Sequence, residues 1–190
     1  MQLPLITKDQ LREQMRQQLA TLSPQQVRSH SAGVWERLSQ VEEFKVAKCI
    51  SAYVSKGNEI ETHGLIRQLL AMRRHVCVPA SDGPRYLLAE LRDFDSELVE
   101  GKYGILEPRS VIPPAVTPEA WVIPGLAFDL RGNRLGRGMG FFDALLREAR
   151  GVKIALAHDF QILNEVPAES HDAGVDFIVT ETRVVETKRN

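Results

Sequence analysis

Apolar runs separated by helical patterns constrain this chain most. The segments "CISAYV", "HVCVPA", "EAWVIPG", "VKIALAH" and "VDFIVTE" are largely apolar and have the length of buried strands. Strands that are apolar on both faces need helices on each side, which is the arrangement of parallel sheets. The sequence therefore predicts an α/β fold, a three-layer α/β/α single domain with a mostly parallel sheet.

Two helices are predicted before the first strand. Residues 8–20 place apolar side chains at four-residue spacing, on one face of a helix. In "TLSPQQ", Ser23 is the predicted N-cap, Pro24 occupies the first turn and Gln26 completes a capping box. These residues begin a second helix over about residues 24–40.

The middle of the chain is less regular. Helices are predicted from residue 62 to about 74 and over 141–150, with a turn at "SDGP" and a short strand at "RYLLAEL". The segments "GKYGILEP" and "VIPPAVTP" show no period and are predicted to be a surface connection.

Composition indicates a soluble protein. The 190 residues are 43% hydrophobic with a net charge of −1, which suits one domain over 1–190 and no bulk affinity for nucleic acid or membranes. Two cysteines make neither a disulfide framework nor a metal motif. No apolar run approaches ~20 residues and no signal peptide is recognisable, so we expect a cytoplasmic protein. A monomer is expected, although the sequence does not fix the oligomeric state.

The stretch "GNRLGRGMGFFDALL" is the strongest candidate for a ligand site. It follows the "EAWVIPG" strand, and parallel sheets bind ligands at the carboxyl ends of their strands. Gly136, Gly138 and Gly140 free the backbone N–H groups to converge on an anion. Arg134 and Arg137 add charge whose fork geometry suits phosphate oxygens. A glycine-rich surface turn with solvated arginines is the alternative.

Two aspartates raise the question of a metal. Asp143 is unexpected in an anion site, unless a divalent cation lies between it and the phosphates. The segment "HDAGVD" places His171 and Asp172 in a loop before the last strand, where Asp172 could join Asp143 at a metal. The alternatives are a favourable charge in the first helical turn for Asp143 and a turn residue for Asp172.

Other charged residues could complete the site. Lys8, Arg12 and Arg16 share one helix face, which is simply solvated unless it turns toward the glycine loop. In "YVSKGNEIET", which ends a strand, Glu59 could accept hydrogen bonds from an N–H-rich heterocycle. Glu61 could instead lead into the next helix.

These segments together resemble the 5-formyltetrahydrofolate cyclo-ligase family. The stretch "VIPGLAFDLRGNRLGRGMGFFD" is similar to the family signature. "KDQLR", "YVSKGNEIET", "YGILEP" and "AHDFQILNEVPAESHDAGVDFIVTE" match further family segments in the right order. The chain departs from the family at Met139, at Phe141 and Phe142, where tyrosine is usual, and at Ala144.

The resemblance implies a Mg²⁺- and ATP-dependent ligation in which the formyl oxygen of 5-formyltetrahydrofolate attacks the γ-phosphate and N10 then closes the ring. By resemblance, the catalytic residues are Arg137 and Gly138. Val54 and Glu59 would bind the pterin, and Asp143 and Asp172 would hold Mg²⁺. The ATP-binding residues implied are Lys8, Arg12, Arg134, Leu135, Gly136, Arg137, Gly138, Met139, Gly140, Phe141 and Phe142.

Two other functions stay open on the sequence. A sugar-phosphate isomerase on a similar sheet would need a phosphate site, but neither ATP nor a second carboxylate for metal. A non-catalytic protein that binds folate or nucleotide would show binding without turnover.

Overall fold

A largely parallel sheet runs through the centre of the fold. The computed structural model describes residues 6–82, 85–101, 104–169 and 172–188. The helices in these residues are α1 (Lys8–Ala20), α2 (Pro24–Leu38), α3 (Glu42–Val46), α4 (His63–Ala71), α5 (Phe94–Glu97) and α6 (Phe141–Arg147). The strands are β1 (Cys49–Ala52), β2 (His75–Asp82), β3 (Arg85–Leu91), β4 (Leu98–Glu100), β5 (Leu106–Pro108), β6 (Ala120–Ile123), β7 (Ala127–Asp129), β8 (Arg134–Leu135), β9 (Val152–Leu156), β10 (Ile162–Leu163), β11 (Phe177–Val179) and β12 (Val184–Glu186).

The main sheet has the order β12-β11-β9-β6-β1-β2-β3. Strands β11, β9, β6, β1 and β2 are parallel, and the two outer pairs are antiparallel. Two small sheets accompany it, β10-β7-β8 and β4-β5. The predicted α/β fold with a mostly parallel sheet is confirmed.

Alternate residues of the central strands enter different cores. On β6, Val122 packs in one buried cluster with residues of α2 and α4, whereas its neighbour Trp121 packs in a second cluster that includes Leu146 of α6. All four β6 residues are buried. Helices therefore cover both faces, which is why these strands read as continuous apolar runs.

The predicted starts of the first two helices are confirmed. Ser23 accepts from the backbone N–H of Gln26, whose side chain returns to the cap, and Pro24 begins α2. Thr7 and Gln10 make the same capping box at α1, a signal that the sequence analysis did not use. No helix of the described residues is long and apolar enough to cross a membrane.

Two parts of the chain are more structured than predicted. The segment expected to be a surface connection contains β5, which pairs with β4. Between β6 and α6, the hairpin of β7 and β8 precedes the glycine loop. Its strands are three and two residues long, too short to show a period in the sequence, and their Ala127 and Leu135 pack against α1. Positions 83 and 84 of the predicted turn lie outside the described residues.

Gly151 sets a tight junction between α6 and β9. Its φ is +88°, and a Cβ there would press on the backbone of Glu119, whose carbonyl oxygen accepts from Val152 N. Gly57 also has a left-handed φ, +60°, but a Cβ there would meet nothing within 4 Å.

We therefore expect Gly151→Ala to lower the free energy of unfolding by about 3 kcal/mol, through backbone strain and overpacking together. Gly57→Ala, with strain alone, should cost about 1 kcal/mol. Urea unfolding of both variants measures the difference. Equal losses would contradict the packing constraint at Gly151.

Candidate active site

A cavity of about 350 Å³ opens where β1 and β6 end. The chain after β1 supplies one wall, the segment just before and within β5 a second, and the glycine loop with the start of α6 a third. The lining includes Tyr53, Val54, Lys56, Glu59, Tyr86, Ile105, Leu106, Glu107, Pro124, Gly125, Arg134, Gly136, Arg137, Met139, Gly140, Phe141, Phe142 and Asp143. Its position at strand carboxyl ends is the usual ligand position in such sheets.

The basic face of α1 turns toward the glycine loop. Arg12 Nε donates to the carbonyl oxygen of Gly136 at 3.1 Å, and Arg16 Nη2 donates to that of Arg137 at 3.1 Å. Gly138, with φ +99°, leaves room for Arg12, because a Cβ there would approach the guanidinium carbon at 3.4 Å. The arginines of α1 therefore join those of the glycine loop. The sequence alone had not decided whether this helix face turns toward the loop.

Arg134 anchors the loop from below. Its side chain is 2% exposed and donates to Asp143 Oδ1 and, at 3.2 Å, to the carbonyl oxygen of Pro124. Its Nε has no hydrogen-bond partner among the residues that the structure describes. Leu135, the next residue, points away from the cavity into the core beneath α1. Leu135 can therefore offer a ligand only its backbone.

Arg137 and Glu59 meet at the cavity. Arg137 Nη2 and Nε donate to Glu59 Oε1 at 2.5 and 3.1 Å, and Glu59 Oε2 accepts from Lys56 N at 2.8 Å. The turn that carries Glu59 is held by Tyr53, whose hydroxyl donates to the carbonyl oxygen of Ile60 at 2.7 Å. Burial raises the pKa of Tyr53 well above its ordinary value, so this donor keeps its proton.

Aromatic rings form part of the cavity wall. Phe141 stacks on Tyr86 with 3.9 Å between ring centroids and 20° between planes. Phe142 is half-buried and packs against both cores of the main sheet, while Met139 is 52% exposed. Val54 is buried and lines the cavity beside the turn that carries Glu59.

The two predicted metal ligands line different cavities. Asp143 faces the cavity described above, whereas Asp172 lines a second one of about 640 Å³. Asp172 Oδ2 accepts from Lys8 Nζ at 2.6 Å, and Lys8 also contacts Glu169 at 2.8 Å. His171 lies outside the described residues. A magnesium ion shared by Asp143 and Asp172 stays a prediction.

Comparison with known proteins identifies the family. The model of the 5-formyltetrahydrofolate cyclo-ligase family matches residues 5–181. The chain belongs to this family of enzymes. A 5-formyltetrahydrofolate cyclo-ligase of Mycolicibacterium smegmatis is 32% identical, over 75% of this chain and 78% of the relative. One of Escherichia coli is 29% identical, over 90% and 99%. The NMR structure of the Aquifex aeolicus 5,10-methenyltetrahydrofolate synthetase superposes with a TM-score of 0.84 at 29% identity, covering 97% and 95%.

Sequence reasoning missed several cavity residues of this family member. Tyr86 belongs to the antiparallel strand β3, and its contact with Phe141 depends on tertiary packing. Ile105, Leu106 and Glu107 lie in the segment predicted to be a surface connection. Their period gave no signal, although Ile105, Leu106 and Glu107 lie in "YGILEP", one of the segments that resemble the family. Lys56 did have a signal, because it lies in the quoted "YVSKGNEIET" turn.

The buried pair of Arg134 and Asp143 should show in stability. Asp143→Ala leaves the Arg134 guanidinium buried without its carboxylate, and we expect it to lower the free energy of unfolding by about 2 kcal/mol. This is less than is typical of a fully buried pair, because Asp143 is partly exposed. The additional change Arg134→Met should recover part of that loss. Chemical denaturation without ligands measures both.

Arg67 and Asp95 provide the control, since their ion pair is exposed. Asp95→Ala should leave stability nearly unchanged. If Asp143→Ala lowers the free energy of unfolding no more than Asp95→Ala does, the buried charge of Arg134 is not stabilised by Asp143.

Proposed function

We propose that this chain catalyses the ATP-dependent cyclisation of 5-formyltetrahydrofolate to 5,10-methenyltetrahydrofolate, with Mg²⁺ as cofactor. Membership of the cyclo-ligase family supports the reaction. The observation that carries it is the meeting of Arg137, from the glycine loop, with Glu59, from the turn after β1, in one cavity. A phosphate donor and a heterocycle bound on these two sides would react between them.

The proposed reaction has two steps. The formyl oxygen attacks the γ-phosphorus of ATP, so that an O–P bond forms, the bond to the β,γ-bridging oxygen breaks and ADP leaves. N10 then attacks the formyl carbon and loses its proton. The C–O bond breaks, phosphate leaves, and the 5,10-methenyl ring closes. Positioning and charge neutralisation are the main contributions that a protein makes to such a transfer.

The glycine loop is proposed as the phosphate side of the site. Arg12 and Arg16 approach it from α1, and Arg137 extends from it into the cavity. Gly138 has no side chain to separate its backbone from these arginines, so phosphate oxygens could contact both the backbone N–H and the guanidinium groups. We place the transferring phosphate beside Arg137 and Gly138, with Lys8 as an outer cation.

The turn after β1 is proposed as the pterin side. A pterin presents several N–H groups, and a carboxylate such as Glu59 can accept two of them. Val54 offers an apolar contact there, and the rings of Tyr86 and Phe141 offer a flat surface. The stacked rings fill part of the cavity, so a ring-shaped substrate would lie against them or displace one.

Binding of substrates would exchange ion-pair partners. Arg137 and Glu59 neutralise each other in the free protein. If a phosphate takes Arg137, Glu59 loses its cation and becomes available to the pterin N–H groups. ATP and folate would then assist each other's binding, because each removes a partner that competes with the other.

Asp143 suits the cofactor, since Mg²⁺ takes oxygen ligands and usually one or two carboxylates together with substrate phosphates. Bound Mg²⁺ would supply charge neutralisation at the phosphates. Asp143 would have to share its oxygens between the ion and Arg134. Asp172 remains the proposed second ligand, although it lies on the neighbouring cavity. We also propose a cytoplasmic monomer with no nucleic-acid or membrane partner.

The first test is the absorbance of methenyltetrahydrofolate when the purified protein meets 5-formyltetrahydrofolate and Mg-ATP. A rise is expected in the full mixture and none without ATP, with a much slower rise when Mg²⁺ is omitted. A flat trace from a protein that still binds either substrate would favour a non-catalytic binding protein. A rise without ATP would contradict the phosphorylated intermediate.

Arg137→Ala tests the phosphate side. Loss of charge-assisted contacts to phosphate should raise the KM for ATP about 10- to 100-fold. The Kd for folate, measured by fluorescence titration, should stay the same or fall, since Glu59 loses its competing cation. Arg131→Ala is the matched control, because Arg131 pairs with Glu165 away from this cavity. Equal weakening of both substrates would remove Arg137 from the phosphate site.

A further inference from the structure

Two histidines and a glutamate come together outside the candidate active site. His30 lies on α2, His158 follows β9, and Glu181 follows β11. His30 Nδ1 lies 2.9 Å from His158 Nδ1 and 3.6 Å from Glu181 Oε1. One ring nitrogen of each histidine and one carboxylate oxygen of Glu181 all lie within 4.8 Å of one another. None of the three lines the active-site cavity.

Hydrogen bonds fix the chemical state of His158. Its Nε2 lies 2.9 Å from the carbonyl oxygen of Asn58, which can only accept, so Nε2 carries the proton. Nδ1 of the neutral ring then carries a lone pair, which points at His30. His158 is fully buried, and this burial lowers its pKa, which keeps the ring neutral near pH 7.

The surroundings complete a ligand arrangement. A histidine that binds a metal through one nitrogen usually donates its other N–H to a carbonyl or carboxylate, as His158 does to Asn58. Glu181 uses Oε2 to accept from Asp159 N at 3.0 Å, and its Oε1 is the oxygen nearer His30. One carboxylate oxygen is thus held by the backbone while the other faces the imidazoles.

We propose that His30, His158 and Glu181 bind a divalent cation of the Zn²⁺ type. Two imidazoles and a carboxylate form a set that Zn²⁺ uses, with water in the fourth position. Nitrogens at ~2.0–2.1 Å from a tetrahedral ion are roughly 3.3–3.4 Å apart. The rings must separate by about 0.4 Å from their hydrogen-bonded distance, which the half-exposed His30 can accommodate.

The ion would act on the pterin side of the active site. His158 holds the carbonyl of Asn58, the residue before Glu59. The Asn58 side chain in turn donates to the carbonyl oxygens of Leu19 and Leu22 at 2.8 and 3.1 Å. A cation at the His30–His158–Glu181 site would therefore fix the turn that carries Glu59 against α2 and the end of α1.

Metal titration of the chelator-treated protein, without substrates, tests the site. We expect one Zn²⁺ per chain in competition with a chromophoric chelator. With Co²⁺ we expect the visible absorption of a four-coordinate ion. His30→Gln and Glu181→Gln should each weaken Zn²⁺ binding at least 10-fold and remove the Co²⁺ band. His158 is left unchanged, because its substitution would also break the bond to Asn58.

His75→Gln is the matched control, since His75 pairs with a single carboxylate, Glu90, at the surface. It should bind Zn²⁺ as the wild type does. Absence of Zn²⁺ binding by the wild type, or equal affinity in wild type, His30→Gln and Glu181→Gln, would overturn the proposal. The outcome is independent of catalytic activity, because no substrate is present.

Discussion

The ion pair of Arg134 and Asp143 determines where the candidate active site lies. A guanidinium that is almost fully buried must be paired, because an uncompensated charge in the interior costs several kcal/mol. Arg134 satisfies this need with Asp143 on α6 and with the carbonyl after β6. The side chain thereby joins the hairpin, the main sheet and the helix at one point. A Cβ at Gly136 would lie 3.2 Å from Arg134 Nη1, so a larger residue there would require the guanidinium to shift slightly.

Two arginines of the free cavity are paired with carboxylates before any ligand arrives. Arg137 meets Glu59 at the cavity wall, and Arg134 is paired with Asp143 in the same wall. A site of unpaired arginines would attract many anions. A site in which Arg134 and Arg137 already have carboxylates favours ligands that offer both an anion and hydrogen-bond donors, because only these satisfy both partners of a broken pair.

Most of the sheet could be predicted from the sequence, and so could the parts of the cavity wall that the glycine loop and the turn after β1 contribute, but not the part that β3 contributes. Strands such as β6 are buried on both faces and are therefore continuously apolar. Such a run can be recognised in the sequence without knowledge of the rest of the fold. The direction of Leu135, in contrast, depends on the core beneath α1, and the contact of Tyr86 with Phe141 depends on how β3 pairs with β2. The charged loop residues were recognisable from residue type and motif, but the partner of Arg137, Glu59, comes from elsewhere in the chain.

The core beneath α1 has a consequence for the order of folding. Leu11, Met15 and Leu19 pack on Leu126, Ala127, Leu135 and Val166, and those partners lie more than a hundred residues later in the chain. During synthesis α1 emerges before these partners, so its apolar face stays uncovered until the hairpin and β10 leave the ribosome. The proposed phosphate side would thus be assembled after β1 and β6, which form the other wall, and the nascent chain would carry α1 as an exposed amphipathic segment while the residues between Leu19 and Leu126 are synthesised.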